Sequence, residues 1–542
     1  MSLPGLELTQ PLEERQHAVA APSQITLSPG SEWRFEVAFG HQIRVKLLNG
    51  TAELFGTELA ESQTYTFTGT KAAIYSWYGC DLEITAGETG APTSLDGVTP
   101  TAGAGAGGCQ SEYTAGETPM MEYFNMHIAL ESIREESQGS GKDGPRVLLL
   151  GPENAGKTTL AKILTAYATK IGRQPLVVNL DPSEGMLSVP GTLTATAFRS
   201  MLDIEEGWGS SPMSGPSFVP VKLPLVYSYP LTSPLDEEGA VYRPIVSRLA
   251  LSVTGRMAED EDARETGIIV DTPGALSSDK PGSFETIKHI VTEFSITTII
   301  VLGSERLYST MVKEYDNQLS ASSTASAFDE RISVVKLSKS GGCVDRDSAF
   351  LKITRESQIR SYFFGNPNPT TASTSAITLS PHSQLLDFSS LPIWNYTVSS
   401  HEDEDEDEDE YDPSQFGTSD SFLPSGTDNY EPGHATPLPG IVGLTVDPST
   451  SSVIDTTNIP LKKLVPPVPS VLANTLLAIT HAPATASPAE VRDASIMGFL
   501  YVADVDVDKG KFRVIAPVGG RVPSRAMIWA KRWPGEVVGL VG

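Results

Sequence analysis

Between positions 31 and 85 the apolar and β-branched residues fall in short runs broken by turn residues, at 33–37, 43–47, 65–67, 73–75 and 82–84. Such runs predict a small β domain. Alternation along 33–37 sets Trp33, Phe35 and Val37 on one strand face, so the pattern alone reads Trp33 as core. From 86 to 116 the pattern dissolves into Gly, Ala, Thr and Pro, including 101–108, and predicts a linker. Thr118 then stands as an N-cap before Pro119. Tyr123, Met126, Leu130 and Ile133 recur at helical spacing until Gly139 and Gly141, which predicts one connecting helix.

Apolar runs at 147–150, 176–180, 268–270, 298–302 and 332–337 alternate with helical patterns, and predict a parallel sheet covered by helices on both faces. After Gly365 the chain reads as irregular, and 399–433 carries too much like charge to pack. Strand-like runs return at 444–446, 499–505, 512–515 and 527–530. The expected organisation is an N-terminal β domain over 1–98, a Gly/Ala-rich linker and helix over 99–143, a central α/β domain over 144–365, and a β-rich C-terminal domain over 366–542 with an unstructured acidic insertion near 399–433.

Charge narrows the function classes. The chain has 542 residues and a formal charge of −28, from 67 acidic and 39 basic side chains. Nine acids sit in the single run 402–410, so the remainder carries about −19. Coating nucleic acid by bulk attraction is therefore excluded, although a local basic groove is not. Apolar stretches fall short of a membrane span, and residues 1–16 lack a basic start followed by an apolar core, so a soluble, unexported chain is expected. Cys80, Cys109 and Cys343 lie far apart, without paired metal-ligand spacing, which fits a reducing compartment.

The strongest chemical signal is Gly151-Pro152-Glu153-Asn154-Ala155-Gly156-Lys157-Thr158, a P-loop pattern placed between a predicted strand and a helix that continues from Thr159. Glycines let the backbone wrap closely around phosphate, and the loop amides and helix N-terminus hold its oxygens. Lys157 reaches the β and γ phosphates, and the Thr158 hydroxyl binds magnesium. Two strand-end carboxylates, Asp181 and Asp271, compete to complete the site as magnesium partner or base. The guanine-specifying Asn/Thr-Lys-x-Asp tetrapeptide does not follow the runs ending at Leu302 or Leu337, which favours adenine. Downstream, Arg346, Lys352, Arg355 and Arg360 form a local basic segment able to fold over phosphates.

These motifs, together with Asn179-Leu180-Asp181, Ser188-Val189-Pro190-Gly191-Thr192, Ser304-Glu305-Arg306-Leu307-Tyr308, the stretch 337–342 and Glu53-Leu54-Phe55-Gly56-Thr57-Glu58-Leu59, resemble the Clp family of polynucleotide 5′-hydroxyl kinases. Within it they are similar to the fungal branch found in pre-mRNA cleavage factor IA. The resemblance implies an N-terminal β-sandwich, a central P-loop ATPase module and a small C-terminal domain. It places adenine-side contacts on Glu32, Trp33 and Lys71, the triphosphate on Gly151, Glu153, Asn154, Ala155, Gly156, Lys157, Thr158 and Thr159, and magnesium at Thr158 with Asp181 or Asp271. The base falls on Asp181 and the lid arginines on Arg355 and Arg360.

Two departures stand out. Active members carry Asp-x-Gly-Gln-Gly where this chain has Asp181-Pro182-Ser183-Glu184-Gly185, which sets a carboxylate against the triphosphate. They also carry a Trp after the third strand, where this chain reads Thr272-Pro273-Gly274-Ala275 and has no ring to stack on a base. The resemblance therefore implies a nuclear ATP-binding structural subunit of the 3′-end cleavage and polyadenylation machinery, with degenerate kinase chemistry. Its implied partners are the cleavage factor IA scaffold that binds the RNA polymerase II C-terminal domain, other cleavage and polyadenylation subunits, and pre-mRNA indirectly, with no membrane. The alternatives are an active kinase, with Asp181 as base and Lys157, Arg355 and Arg360 stabilising the transferred phosphoryl group, and a nucleotide-switch GTPase.

Overall fold

The computed structural model describes residues 22–87, 108–205, 207–208, 224–321, 330–365, 381–396, 461–466, 469–537 and 540. The expected linker core, the acidic run and the strand at 444–446 lie outside them.

The first domain is two antiparallel sheets face to face. One orders Ser23–Leu27, Cys80–Ala86, Ile43–Gly50 and Thr64–Phe67; the other orders Thr57–Glu58, Glu53–Leu54, Thr70–Ser76, Ser31–Val37 and Ser111–Ala115. The last strand falls in the stretch read as linker. It pairs antiparallel with Ser31–Val37, because its polar residues need only ladder hydrogen bonds to hold an edge position. Period-two patterning sends Trp33, Phe35, Val37, Ile43, Val45 and Leu82 inward, and the Trp33 and Phe35 rings stack at 4.3 Å.

The helix Met120–Ser137 connects this sandwich to a seven-stranded sheet. Its order is Leu225–Ser228, Thr192–Ala197, Leu176–Asn179, Ile268–Asp271, Arg146–Leu150, Thr298–Leu302 and Ser333–Leu337. The last five run parallel, as the apolar runs predict, while Thr192–Ala197 runs antiparallel to them and to the edge strand Leu225–Ser228. The central strand Arg146–Leu150 is wholly buried, and its C-terminal end delivers position 151 to the sheet's edge.

The C-terminal sheet also has seven strands, ordered His382–Asp387, Lys511–Ala516, Ile496–Asp506, Leu476–Pro483, Arg525–Trp529, Ile393–Tyr396 and Leu461–Lys463. The stretch after Gly365 read as irregular thus supplies two of them. Their pairing partners lie more than 60 positions away, so no local turn signal announces them. Among the described residues no helix is long and apolar enough to cross a membrane, and all three cysteines are free thiols.

Among the contacts that tie these domains together are three hydrogen bonds. Tyr167 of the P-loop helix Lys157–Lys170 donates to Glu53 of the sandwich at 2.5 Å. The Phe499 amide donates to the Tyr362 hydroxyl at 3.1 Å. The Trp533 indole donates to the Pro182 carbonyl at 2.9 Å.

Candidate nucleotide-binding site

Gly156 adopts φ +89°, a left-handed turn that lets the chain enter a helix at Lys157 immediately after the loop. The first-turn amides of that helix have no carbonyl behind them and face outward at its N-terminus, where the macrodipole favours anions. Lys157 is buried, and its ammonium donates to the carbonyls of Gly151 at 2.9 Å and Pro152 at 2.8 Å. Burial pushes its pKa down, opposed by Asp271, Asp181 and Glu153.

The structure separates the two competing aspartates. Asp271 ends the neighbouring parallel strand and accepts a 2.6 Å hydrogen bond from the Thr158 hydroxyl on Oδ2. Its Oδ1 is buried without a hydrogen-bond partner. Burial raises this carboxyl to about 6, while the Thr158 hydrogen bond and Lys157 pull the other way. Asp181 instead closes a local turn: its Oδ1 accepts from the Ser183 amide at 2.9 Å and the Ser183 hydroxyl at 2.5 Å. A hydroxyl and a carboxylate with an unsatisfied buried oxygen form the hard-oxygen set that magnesium takes. Among the described residues no cluster of three or more His, Cys, Asp or Glu side chains is present to hold a metal alone.

Around the loop, Gly274 is required by close approach, since a Cβ there would lie 2.5 Å from the Glu153 amide nitrogen. Ser277 accepts from the Gly151 amide at 3.1 Å. Ala275 occupies the short turn between them, Gly274–Ser277.

The expected adenine-side residues divide. Glu32 is buried in an ion pair with Arg34, and burial pushes its carboxyl up against that cation's pull. Lys71 pairs with Glu36 at 2.8 Å and lies 5.0 Å over the Phe350 ring, at the start of the helix Ser348–Phe364. Trp33 is corrected: it has no exposed surface and lies in the sandwich core, so it offers no face to a base. Arg34, which sequence reasoning passed over, is on the opposite strand face and approaches the turn 340–343 so closely that a Cβ on Gly342 would lie 2.9 Å from its Nε. Cys343 of that turn lies against Gly156, 2.8 Å from where a Cβ would stand. The turn is wedged between the sandwich and the P-loop. The signal available in sequence was the polar alternation Glu32, Arg34, Glu36 opposite the core face.

The basic segment also divides. Arg346 pairs with Glu184 at 2.6 Å and donates through Nε to Asn154 Oδ1 at 3.1 Å. The carboxylate that the sequence sets against the triphosphate is therefore paired with an arginine. The Arg355 guanidinium lies 4.8 Å over the Trp533 ring, and burial lowers its pKa while Glu184 opposes that shift. Gln358, on the same helix, accepts from the Gly185 amide at 3.2 Å. Arg360 is not brought in: it is exposed and lies over Phe364 of its own helix, at 5.8 Å.

Family models match residues 26–137 as the N-terminal β-sandwich domain of polyadenylation factor, 151–365 as the mRNA cleavage and polyadenylation factor CLP1 P-loop, and 379–535 as pre-mRNA cleavage complex II protein Clp1. The chain is 70% identical to the mRNA cleavage and polyadenylation factor clp1 of Aspergillus oryzae and 68% identical to that of Emericella nidulans, over the full length of each chain. It is similar to the solved structure of a Clp1p–Pcf11p complex, with TM-score 0.69 and 26% identity over 94% of this chain and 98% of that one. A second Clp1p structure, describing an extended interface with Pcf11p and ATP loss in a glycine-to-arginine point mutant, matches at TM-score 0.68 and 26% identity, over 94% of this chain and 97% of that one.

Proposed function

This chain belongs to the Clp1 family of mRNA cleavage and polyadenylation factors, and from that membership we propose that it is a nuclear, ATP-binding structural subunit of the pre-mRNA 3′-end machinery. Bound nucleotide holds the β-sandwich against the P-loop domain, and the composite surface receives a scaffold partner of the Pcf11 kind. The family places the work in mRNA 3′-end formation, which is a nuclear process.

The observation that carries the reading is a contrast within one site. The phosphate-holding parts are set, with Lys157 drawn over the loop and Thr158 bonded to Asp271. The arginines that would act on a transferred phosphoryl group already have partners within the protein, Arg346 in Glu184 and Arg355 in Trp533. In this reading the amides of the loop and of Lys157, Thr158 and Thr159 hold the triphosphate, and Glu32 and Lys71 form the nucleoside side. Thr158 and Asp271 would hold magnesium, which neutralises phosphate charge when bound. Asp181 stands at the neighbouring strand end, its orientation held by Ser183.

The test is the nucleotide content of the purified protein, released by denaturation and identified. Near-stoichiometric ATP supports the reading, whereas guanine nucleotide or none overturns it. Transfer of phosphate to an RNA 5′-hydroxyl that disappears in Asp181→Asn would replace it with the kinase reading.

A further inference from the structure

Glu184 stands among positive charges. Its carboxylate is paired at 2.6 Å with Arg346, whose Nε also donates to Asn154 at the tip of the P-loop, 3.1 Å away. Arg355 and Lys162 lie within electrostatic reach of the same carboxylate. Lys162 comes from the P-loop helix, one turn beyond Thr158, and its ammonium lies 5.9 Å from the Phe55 ring centre and 5.6 Å from that of Trp208. The loop bearing Glu184 is anchored from two sides, by Gln358 on Gly185 and by Trp533 on the Pro182 carbonyl. The carboxylate is thereby held in place rather than swinging in solvent.

A planar guanidinium bonded to the tip of a phosphate-binding loop, with two further cations within electrostatic reach of the carboxylate it pairs with, forms a donor set for a phosphoryl group. In this structure the anion among them is the protein's own. We propose that Glu184 is a resident anion that occupies a seat for the terminal phosphoryl group of a nucleoside triphosphate. Arg346 is consequently engaged by a carboxylate, and the nucleotide is held by the loop, Lys157 and Thr158. The inference rests on the nucleotide-binding reading above and deepens it, by naming the residue that keeps a phosphoryl-reading arginine away from its ligand. Like charges at one seat exclude each other, so the triphosphate gains little there over the diphosphate while the Glu184 carboxylate occupies it. An uncharged Gln in the same shape leaves Arg346 available to the phosphoryl oxygens.

The experiment measures ATP and ADP affinity of the full chain with magnesium, for wild type, Glu184→Gln, Glu184→Ala and the double variant Glu184→Gln/Arg346→Gln. The expected result is a rise of about tenfold in preference for ATP over ADP in Glu184→Gln, the size of one charge-assisted hydrogen bond. Glu184→Ala should shift the preference in the same direction, and the double variant should lose the gain. An unchanged preference in both single variants, or a gain that survives removal of Arg346, overturns the inference while leaving nucleotide binding intact. Wild-type protein that binds neither nucleotide overturns the nucleotide-binding reading and this inference together. Melting curves identify any variant that fails to fold, and the remaining single variant then carries the comparison.

Discussion

The Thr158 hydroxyl and the Asp271 carboxylate, 113 positions apart in sequence, meet in a 2.6 Å hydrogen bond at the edge of the central sheet. The bond joins the first turn of the P-loop helix to the end of the adjacent parallel strand, and leaves one Asp271 oxygen buried without a partner. Replacing Thr158 by Val removes a hydroxyl ligand from that position, and Asp271 by Asn removes the negative charge and one of the two carboxylate oxygens. We expect magnesium-dependent ATP binding to weaken at least about tenfold in each, with the residual affinity insensitive to chelator. Titration with and without EDTA checks this, and retained chelator sensitivity in both variants would contradict the assignment.

Gly274 has no room for a side chain. An added Cβ meets the Glu153 amide nitrogen and Cγ at 2.5 Å, and backbone cannot yield as a flexible side chain does. Gly274→Ala should cost about 1–3 kcal/mol of stability and displace the loop. Nucleotide retention should therefore fall more than the melting temperature suggests. Comparing released nucleotide with denaturant midpoints separates the two effects.

Tyr167 and Glu53 form a buried hydrogen bond between the P-loop helix and the sandwich, and burial pushes the Glu53 carboxyl up. Tyr167→Phe removes a donor from a buried acceptor, which costs about 1–3 kcal/mol. Because the pair spans two domains, the loss should appear as earlier separation of the sandwich in hydrogen exchange. In a double-mutant cycle with Glu53→Gln the two losses should not add. Additive losses would show that the bond couples nothing.

His127 is buried against Phe124 and Tyr167, with its Nδ1 unsatisfied. Burial, helped by Arg134, lowers its pKa from 6.5 to about 4. The folded value lies below the unfolded one, so this group's contribution to stability is complete above about pH 6.5 and falls as pH drops toward 4. The loss amounts to at most about 3 kcal/mol. His127→Phe keeps the ring packing and removes the titration. Unfolding between pH 4.5 and 7 should therefore show a shallower acid slope in the variant, and parallel slopes would count against the burial effect.

Trp533 caps the Pro182 carbonyl and underlies Arg355. Trp533→Ala should raise hydrogen exchange across residues 182–191 and speed nucleotide release, without altering the core of the C-terminal sheet. Unchanged exchange there would show that the loop is held by Gln358 alone.

How much of this was legible in the chain depends on the range of the interaction. The P-loop, its flanking strand and helix, and the inward face of residues 31–37 are written in local spacing. A strand–turn–helix needs only neighbouring residues, and period-two burial needs only the strand itself. The same pattern placed Trp33 in the core, and the structure agrees with it over the adenine-side role that the resemblance implied. Whether Asp181 or Asp271 meets Thr158 was not legible, because both end apolar runs and only the order of strands in the sheet sets Asp271 beside the loop. Nor was the strand Ser111–Ala115, whose pairing partner lies about 80 residues earlier. The pairing of Glu184 with Arg346 joins residues 162 positions apart, across the loop after the strand Leu176–Asn179 and the turn before the helix Ser348–Phe364. In sequence Glu184 reads as a misplaced negative charge and Arg346 as one of several basic residues. Which charge faces which is decided by packing, because electrostatic energy depends on distance in space and on burial, and neither follows from separation along the chain.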